Sequence, residues 1–180
     1  LLSPDTLDSF TLAALGAVIG DRLLGRKLGR SAIGWGALVG TLPDLDILAY
    51  PWLDSITQLY WHRGFSHSIF GILVGTAFFG WILSRFWNRE KAVQKRNGVM
   101  IGSPLVFAFL LLNFATHVLI DCFTVYGTQL LEPFSNQRFG LNNLFIIDPL
   151  FTLPLLVWIV VPLFRKQLRG VAPRGLVVAC

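Results

Sequence analysis

Apolar and polar positions fall along this chain in long blocks. From Phe65 to Leu83 it reads "FSHSIFGILVGTAFFGWIL", with no Lys, Arg, Asp or Glu. Gly98 to Ile120 gives 23 more residues without a formal charge, and Pro149 to Phe164 sixteen. A membrane-spanning helix needs about 20 mostly apolar residues. Two shorter runs, Ser9 to Gly20 and Ser31 to Pro43, reach that length only by extending into polar ends. The blocks predict five helical segments: roughly Asp8–Leu24, Ser31–Tyr50, Phe65–Phe86, Gly98–Val125 and Phe145–Phe164. The expected fold is all-α: a polytopic membrane helical bundle of about five transmembrane or half-membrane segments, in one domain over residues 1–180.

Composition agrees. Over half of the 180 residues are apolar and only 14% are charged, which places the chain in the membrane class. The first apolar run does not read as a signal peptide, because Asp5 and Asp8 precede it where a basic region belongs. The opening on Leu and the ending in "RGLVVAC" lead us to expect further residues at both ends. Cys122 and Cys180 are too few for a disulfide framework.

Charge orders the connections. Arg22, Arg26, Lys27 and Arg30 fill one, Arg85, Arg89, Lys91, Lys95 and Arg96 another, and Arg165, Lys166, Arg169 and Arg174 the tail. Together they make thirteen of the fifteen basic residues, all at alternate connections. An up-and-down path puts them on one side, which the positive-inside rule makes cytoplasmic. Basic residues interleaved with spanning runs do not read as a nucleic-acid patch, and no nucleic-acid binding is expected. The chain is therefore expected to be multi-pass in a bacterial or archaeal cytoplasmic membrane. Its partners are the lipid bilayer and a lipid or lipid-linked substrate; nothing in the sequence sets an oligomeric state.

The same sorting gathers ligand-type residues at the opposite, extracytoplasmic ends. They are Asp8, Asp44, Asp46, His62, His67, His117, Asp121 and Asp148, and include all three histidines. In "LPDLD", Pro43 disfavours a continuous helix and so breaks the segment just before Asp44 and Asp46. In "HRGFSH", Gly64 allows a sharp turn, and Ser66 can cap the next helix or orient an imidazole. In "THVLID", His117 and Asp121 share a helical face at i and i+4. Each has a plainer reading: a helix-ending turn, a pair of hydrated histidines, a structural His–Asp bond. Ionisable groups inside a membrane segment nevertheless read as functional by default.

Three histidines with several aspartates suit mixed nitrogen and oxygen ligation of a divalent metal. Zn is the first expectation, with Mn, Fe or Mg as alternatives and two ions as a possibility. Two-metal sites clamp the attacking and leaving oxygens of phosphoryl transfer. Arg63 and Arg138, the two basic residues outside the cytoplasmic connections, flank this level and suit a phosphate. Tyr126, Gln129 and Asn136 are polar candidates for substrate contact.

"LPDLD", "HRGFSHS", "THVLIDCFTVYGTQLLEPFS" and "IDPLFTLPLL" together resemble the YdjM-like inner-membrane metal-dependent hydrolases, described as LexA-regulated in one branch. The resemblance covers about Asp8 to Phe164. That family is thought to be distantly similar to zinc-dependent phospholipase C and related single-strand nucleases. The resemblance implies Asp44, Asp46, His62, His67, His117 and Asp121 as metal ligands. Many members carry an N-terminal histidine in a "TH" pair; here Thr11-Leu12 stands there, and Asp8 is the candidate substitute.

The expected function is a membrane-embedded metal-dependent hydrolase acting on phosphoester bonds of lipids or lipid-linked envelope precursors. Asp44 or Asp46 would accept a proton, and Arg63 or Arg138 would steady the phosphate. The alternative is a metal or proton transporter, or a metal-stabilised scaffold. Transporters hold their ligands near the midplane, often in repeated halves; these ligands cluster at one end, and no repeat is found.

Overall fold

A computed structural model describes residues 4–54, 57–58, 61, 63–124, 126–141, 153–154 and 157, with side chains from residue 10 onward. Among the described residues, five α-helices have defined bounds: α1 (Pro4–Leu28), α2 (Ser31–Gly40), α3 (Ile69–Trp87), α4 (Glu90–Lys95) and α5 (Ser103–Phe123). A 3-10 helix, Pro43–Trp52, follows α2, and a 3-10 turn, Phe65–His67, leads into α3. Among the described residues the only β pairing is one isolated bridge, Thr128 with Phe139.

Two of these helices, α3 and α5, are long and apolar enough to cross a membrane. A third crossing results if α2 and the following 3-10 helix form one span, bent by 51°. The five expected segments are thus not all found as spans. α1 has 25 residues, long enough at about 37 Å, but Asp21 and Arg22 interrupt its apolar run and it does not qualify. The segment expected at Phe145–Phe164 lies almost wholly outside the described residues.

α5 forms the centre. Its buried residues are Val106, Phe109, Leu110, Asn113, Phe114, His117, Val118, Asp121 and Cys122. They recur at intervals of three and four, the period of one helical face. The apolar part of that stripe packs against residues of α1, α2 and α3, including Ile19, Val39, Ile72 and Leu83. Its far end continues, without a change of face, into His117 and Asp121.

α1 and α2 form a tight antiparallel hairpin. Gly29, at φ +62°, turns the chain between them. Gly16 then lies against Gly36 and Gly40, and Gly20 against Ala32 and Gly36. A Cβ added to Gly36 would stand 2.1 Å from the carbonyl oxygen of Gly16. Small residues every fourth position let two backbones touch. This contact brings the carboxyl end of α2 beside α1 near Leu12.

At the other end, Lys27 Nζ donates to the Met100 carbonyl at 2.9 Å, and Asn88 bonds both backbone groups of Ile101. The two basic connections described here therefore meet at one end of the bundle, opposite the histidines.

Candidate metal centre

The 3-10 helix after α2 places the first carboxylates. Pro43 is its first residue, where the missing N–H costs nothing. A 3-10 helix has 3.0 residues per turn, so Asp44 and Asp46 point two-thirds of a turn apart. Asp44 Oδ1 reaches both imidazoles, 3.4 Å from His67 Nε2 and 3.2 Å from His117 Nε2. Asp46 instead lies behind His67, with Oδ2 3.8 Å from Nδ1.

The "HRGFSH" turn is held from three directions. Its left-handed residue is Arg63, at φ +59°, rather than Gly64. The Arg63 N–H donates to Asp46 Oδ2 at 3.2 Å, and its carbonyl accepts from the Gln129 N–H at 3.1 Å. The Ser66 hydroxyl donates to Asp46 Oδ2 at 3.1 Å and lies 2.8 Å from His67 Nδ1. Ser66 therefore orients the imidazole. The helix cap is Ser68, whose Oγ accepts from the Gly71 N–H at 2.9 Å.

α5 supplies the other half. His117 Nδ1 lies 2.6 Å from the Gly40 carbonyl oxygen. A carbonyl only accepts, so Nδ1 carries the proton and Nε2 keeps its lone pair. The same logic applies to neutral His67, the form that binds a metal: the Ser66 proton goes to Asp46, so Nδ1–H donates to Ser66 and Nε2 is left as an acceptor. The two Nε2 atoms face each other at 3.2 Å. Asp121 Oδ2 stands 3.2 Å from His67 Nε2 and 3.4 Å from His117 Nε2. Neither Asp121 oxygen has a conventional hydrogen bond. Arg63 holds the carboxylate by charge, at 3.2 Å from Oδ1, while donating to Thr124 Oγ1 at 2.6 Å.

Four acceptor atoms thus converge, and five of their six separations are 3.2–3.4 Å. Asp44, His67 and His117 form a group able to hold a metal ion, and Asp121 Oδ2 lies against both imidazoles. Both His Nδ1–H groups are tied to oxygen acceptors, the arrangement that orients metal-bound histidines.

Electrostatics at His67 point the same way. Burial pushes its imidazole toward the neutral form, but the adjacent carboxylates of Asp121 and Asp44 outweigh that and raise its pKa to about 9. The pocket attracts positive charge, whether as protons or as a cation.

The remaining sequence candidates are dispersed. Asp8 belongs to α1, whose amino-terminal end lies on this side of the bundle. His62 and Asp148 lie outside the described residues. Arg138 is exposed on the loop after α5, close enough for its charge to act on Glu132. Tyr126 lies beneath the Arg63 guanidinium, 5.7 Å from its ring centre. Gln129 and Asn136 line a cavity of about 800 Å³ beside the centre, with Pro43, Leu45 and Asp46. The Gly40 carbonyl and Thr124 escaped the sequence reading. The first is a backbone group and carries no residue signature; the second follows Asp121 by three positions, a spacing shared by many capping threonines.

Comparison with known proteins gives two findings. The model of the family described as YdjM inner membrane protein matches residues 7–180. The Bacillus subtilis (strain 168) protein described as "Uncharacterized protein YfhP" is 27% identical over 123 residues, 66% of this chain and 34% of that protein. The chain therefore spans about a third of that relative's length. No solved structure matches the chain.

Proposed function

The chain belongs to the YdjM inner membrane protein family, and from that premise we propose that it is a membrane-embedded metal-dependent hydrolase of lipid or lipid-linked phosphoesters. One divalent cation, Zn first by its mixed ligands, would be held by Asp44, His67 and His117, with Asp121 beside both imidazoles as the fourth ligand. The observation that carries the reading is uneven burial. The side chains of His67, His117 and Asp121 are 0%, 1% and 0% exposed, while that of Asp44 is 15% exposed. Structural metal sites are closed, whereas catalytic ones keep a replaceable position. Asp44 is that position: Pro43 and Leu45 on either side of it line the cavity.

A bound divalent cation supplies Lewis acidity toward a phosphoryl oxygen and acidifies water. The chain's own residues do the rest. Asp44, on the open side, accepts a proton from the attacking water. Asp46 holds the Ser66 hydroxyl and through it the angle of His67. Arg63 fixes Asp121 from behind; its buried guanidinium supports a positioning role rather than phosphate contact. Arg138, exposed on the loop, is the cation that would meet the phosphate of a lipid.

The rival with an observation behind it is a metal-stabilised scaffold, since four protein donors suffice to close a tetrahedral site. Replacing each carboxylate by its amide separates the two. Asp44→Asn is expected to abolish turnover of a lipid phosphoester panel while the protein retains most of its metal. Asp46→Asn is expected to cost about 10–100-fold in affinity or activity. A parent protein that holds metal tightly and turns over nothing on that panel establishes the scaffold.

The site faces outward in this reading, because the basic connections collect at the other end. In a Cys180→Ser background, an impermeant thiol reagent added to intact cells is expected to label Asn136→Cys and spare Gln94→Cys. The opposite pattern inverts the topology.

A further inference from the structure

The described walls of the cavity beside the centre carry one charge sign. Among its described lining residues the ionisable ones are Asp46 and Glu132, and no Lys or Arg takes part. One carboxylate oxygen of Glu132 is enclosed without a hydrogen-bond partner. The rest of the Glu132 side chain is only partly buried, at the cavity wall, where its charge faces the space. The rest of the wall is apolar and aromatic, with Leu48, Trp52, Trp61 and Phe65. Trp52 and Trp61 are 82% and 51% exposed, as befits rings at headgroup depth. Aromatic faces beside carboxylates favour a cation; a head with net negative charge would meet two like charges, whereas a zwitterionic head sets its ammonium here and leaves its phosphate for Arg138, whose charge acts on Glu132.

We propose that this cavity binds the head of a membrane lipid bearing an ammonium group, of the phosphatidylethanolamine type, between the Glu132 and Asp46 carboxylates and the rings of Trp52, Trp61 and Phe65. The acyl chains leave along Leu48. At about 800 Å³ the space lies within the range of small-molecule sites, which suits a head with the start of its chains. That the bound lipid is also the substrate rests on the hydrolase reading above; its binding does not.

The test is calorimetric titration of the full chain in detergent with dihexanoyl phosphatidylethanolamine, dihexanoyl phosphatidylglycerol and free ethanolamine. The amine-bearing lipid is expected to bind about tenfold more tightly than the glycerol one, and free ethanolamine more weakly than either. Glu132→Gln is expected to remove most of that preference with metal content unchanged. Trp61→Leu, which keeps the bulk and loses the ring face, is expected to weaken the amine-bearing lipid selectively. Equal affinity for the two lipids, or a preference that survives both substitutions, overturns the proposal. Free ethanolamine binding as tightly as the lipid overturns the lipid assignment. A preference that holds in a protein without turnover keeps the cavity assignment and removes the hydrolase.

Discussion

Asp121→Ala is expected to strip the protein of most of its divalent metal and to lower its stability by about 3–5 kcal/mol. Two losses coincide at this residue. Oδ2 is the carboxylate oxygen that faces both His67 and His117, at 3.2 and 3.4 Å. Oδ1 is the carboxylate partner of Arg63, at 3.2 Å, and both side chains are almost fully buried, at 7% and 0% exposure. Removing one member of a buried ion pair leaves the other charge without its counterion, which costs more than the pair itself contributes. The measurements are metal content by mass spectrometry and thermal unfolding in detergent, with Asp54→Asn, on the exposed stretch after the 3-10 helix, as the comparison. An Asp121→Ala protein with parental metal content would sink the four-donor centre, whatever its stability.

Gly36→Ala is expected to be nearly as damaging, although Gly36 touches no ligand. The added methyl would stand 2.1 Å from the Gly16 carbonyl oxygen and 2.8 Å from its carbon, both backbone atoms. A flexible side chain could swing away; a helix backbone cannot, so α1 and α2 must separate. Overpacking costs typically about 1–3 kcal/mol, and a backbone clash belongs at or above the upper end. α2 also carries Gly40, whose carbonyl fixes His117, so metal affinity should fall along with stability. Gly34→Ala is the internal control. A methyl there meets nothing within 4 Å, and replacing a mid-helix glycine by alanine is worth about 0.5–1 kcal/mol in favour of the helix. Identical melting for the two variants would show that the hairpin contact does not hold the bundle together.

The membrane class, the two strongest spans and the polar level were legible in the sequence, because each is a one-dimensional property. Uncharged runs, the positions of Lys and Arg, and an i, i+4 pair can be counted along the chain. The short segments were less legible. α1 and the α2 region were expected as comparable helices, yet α1 carries an internal Asp21–Arg22 pair and α2 stops after ten residues. The hairpin had a signal that went unused, small residues at Gly16 and Gly20 and at Ala32, Gly36 and Gly40.

By itself, then, the sequence determined that this is an all-helical membrane protein with His and Asp gathered at one end. It did so through hydropathy and charge, which act residue by residue. Only the tertiary structure decided which of those residues share a point. The 3-10 twist after Pro43 turns Asp44 toward the imidazoles and Asp46 behind them, and Arg63 is drawn inward onto Asp121 and Thr124. Those outcomes depend on distances of a few ångström between segments far apart in the chain. They are set by close packing of the helices, which no local pattern encodes.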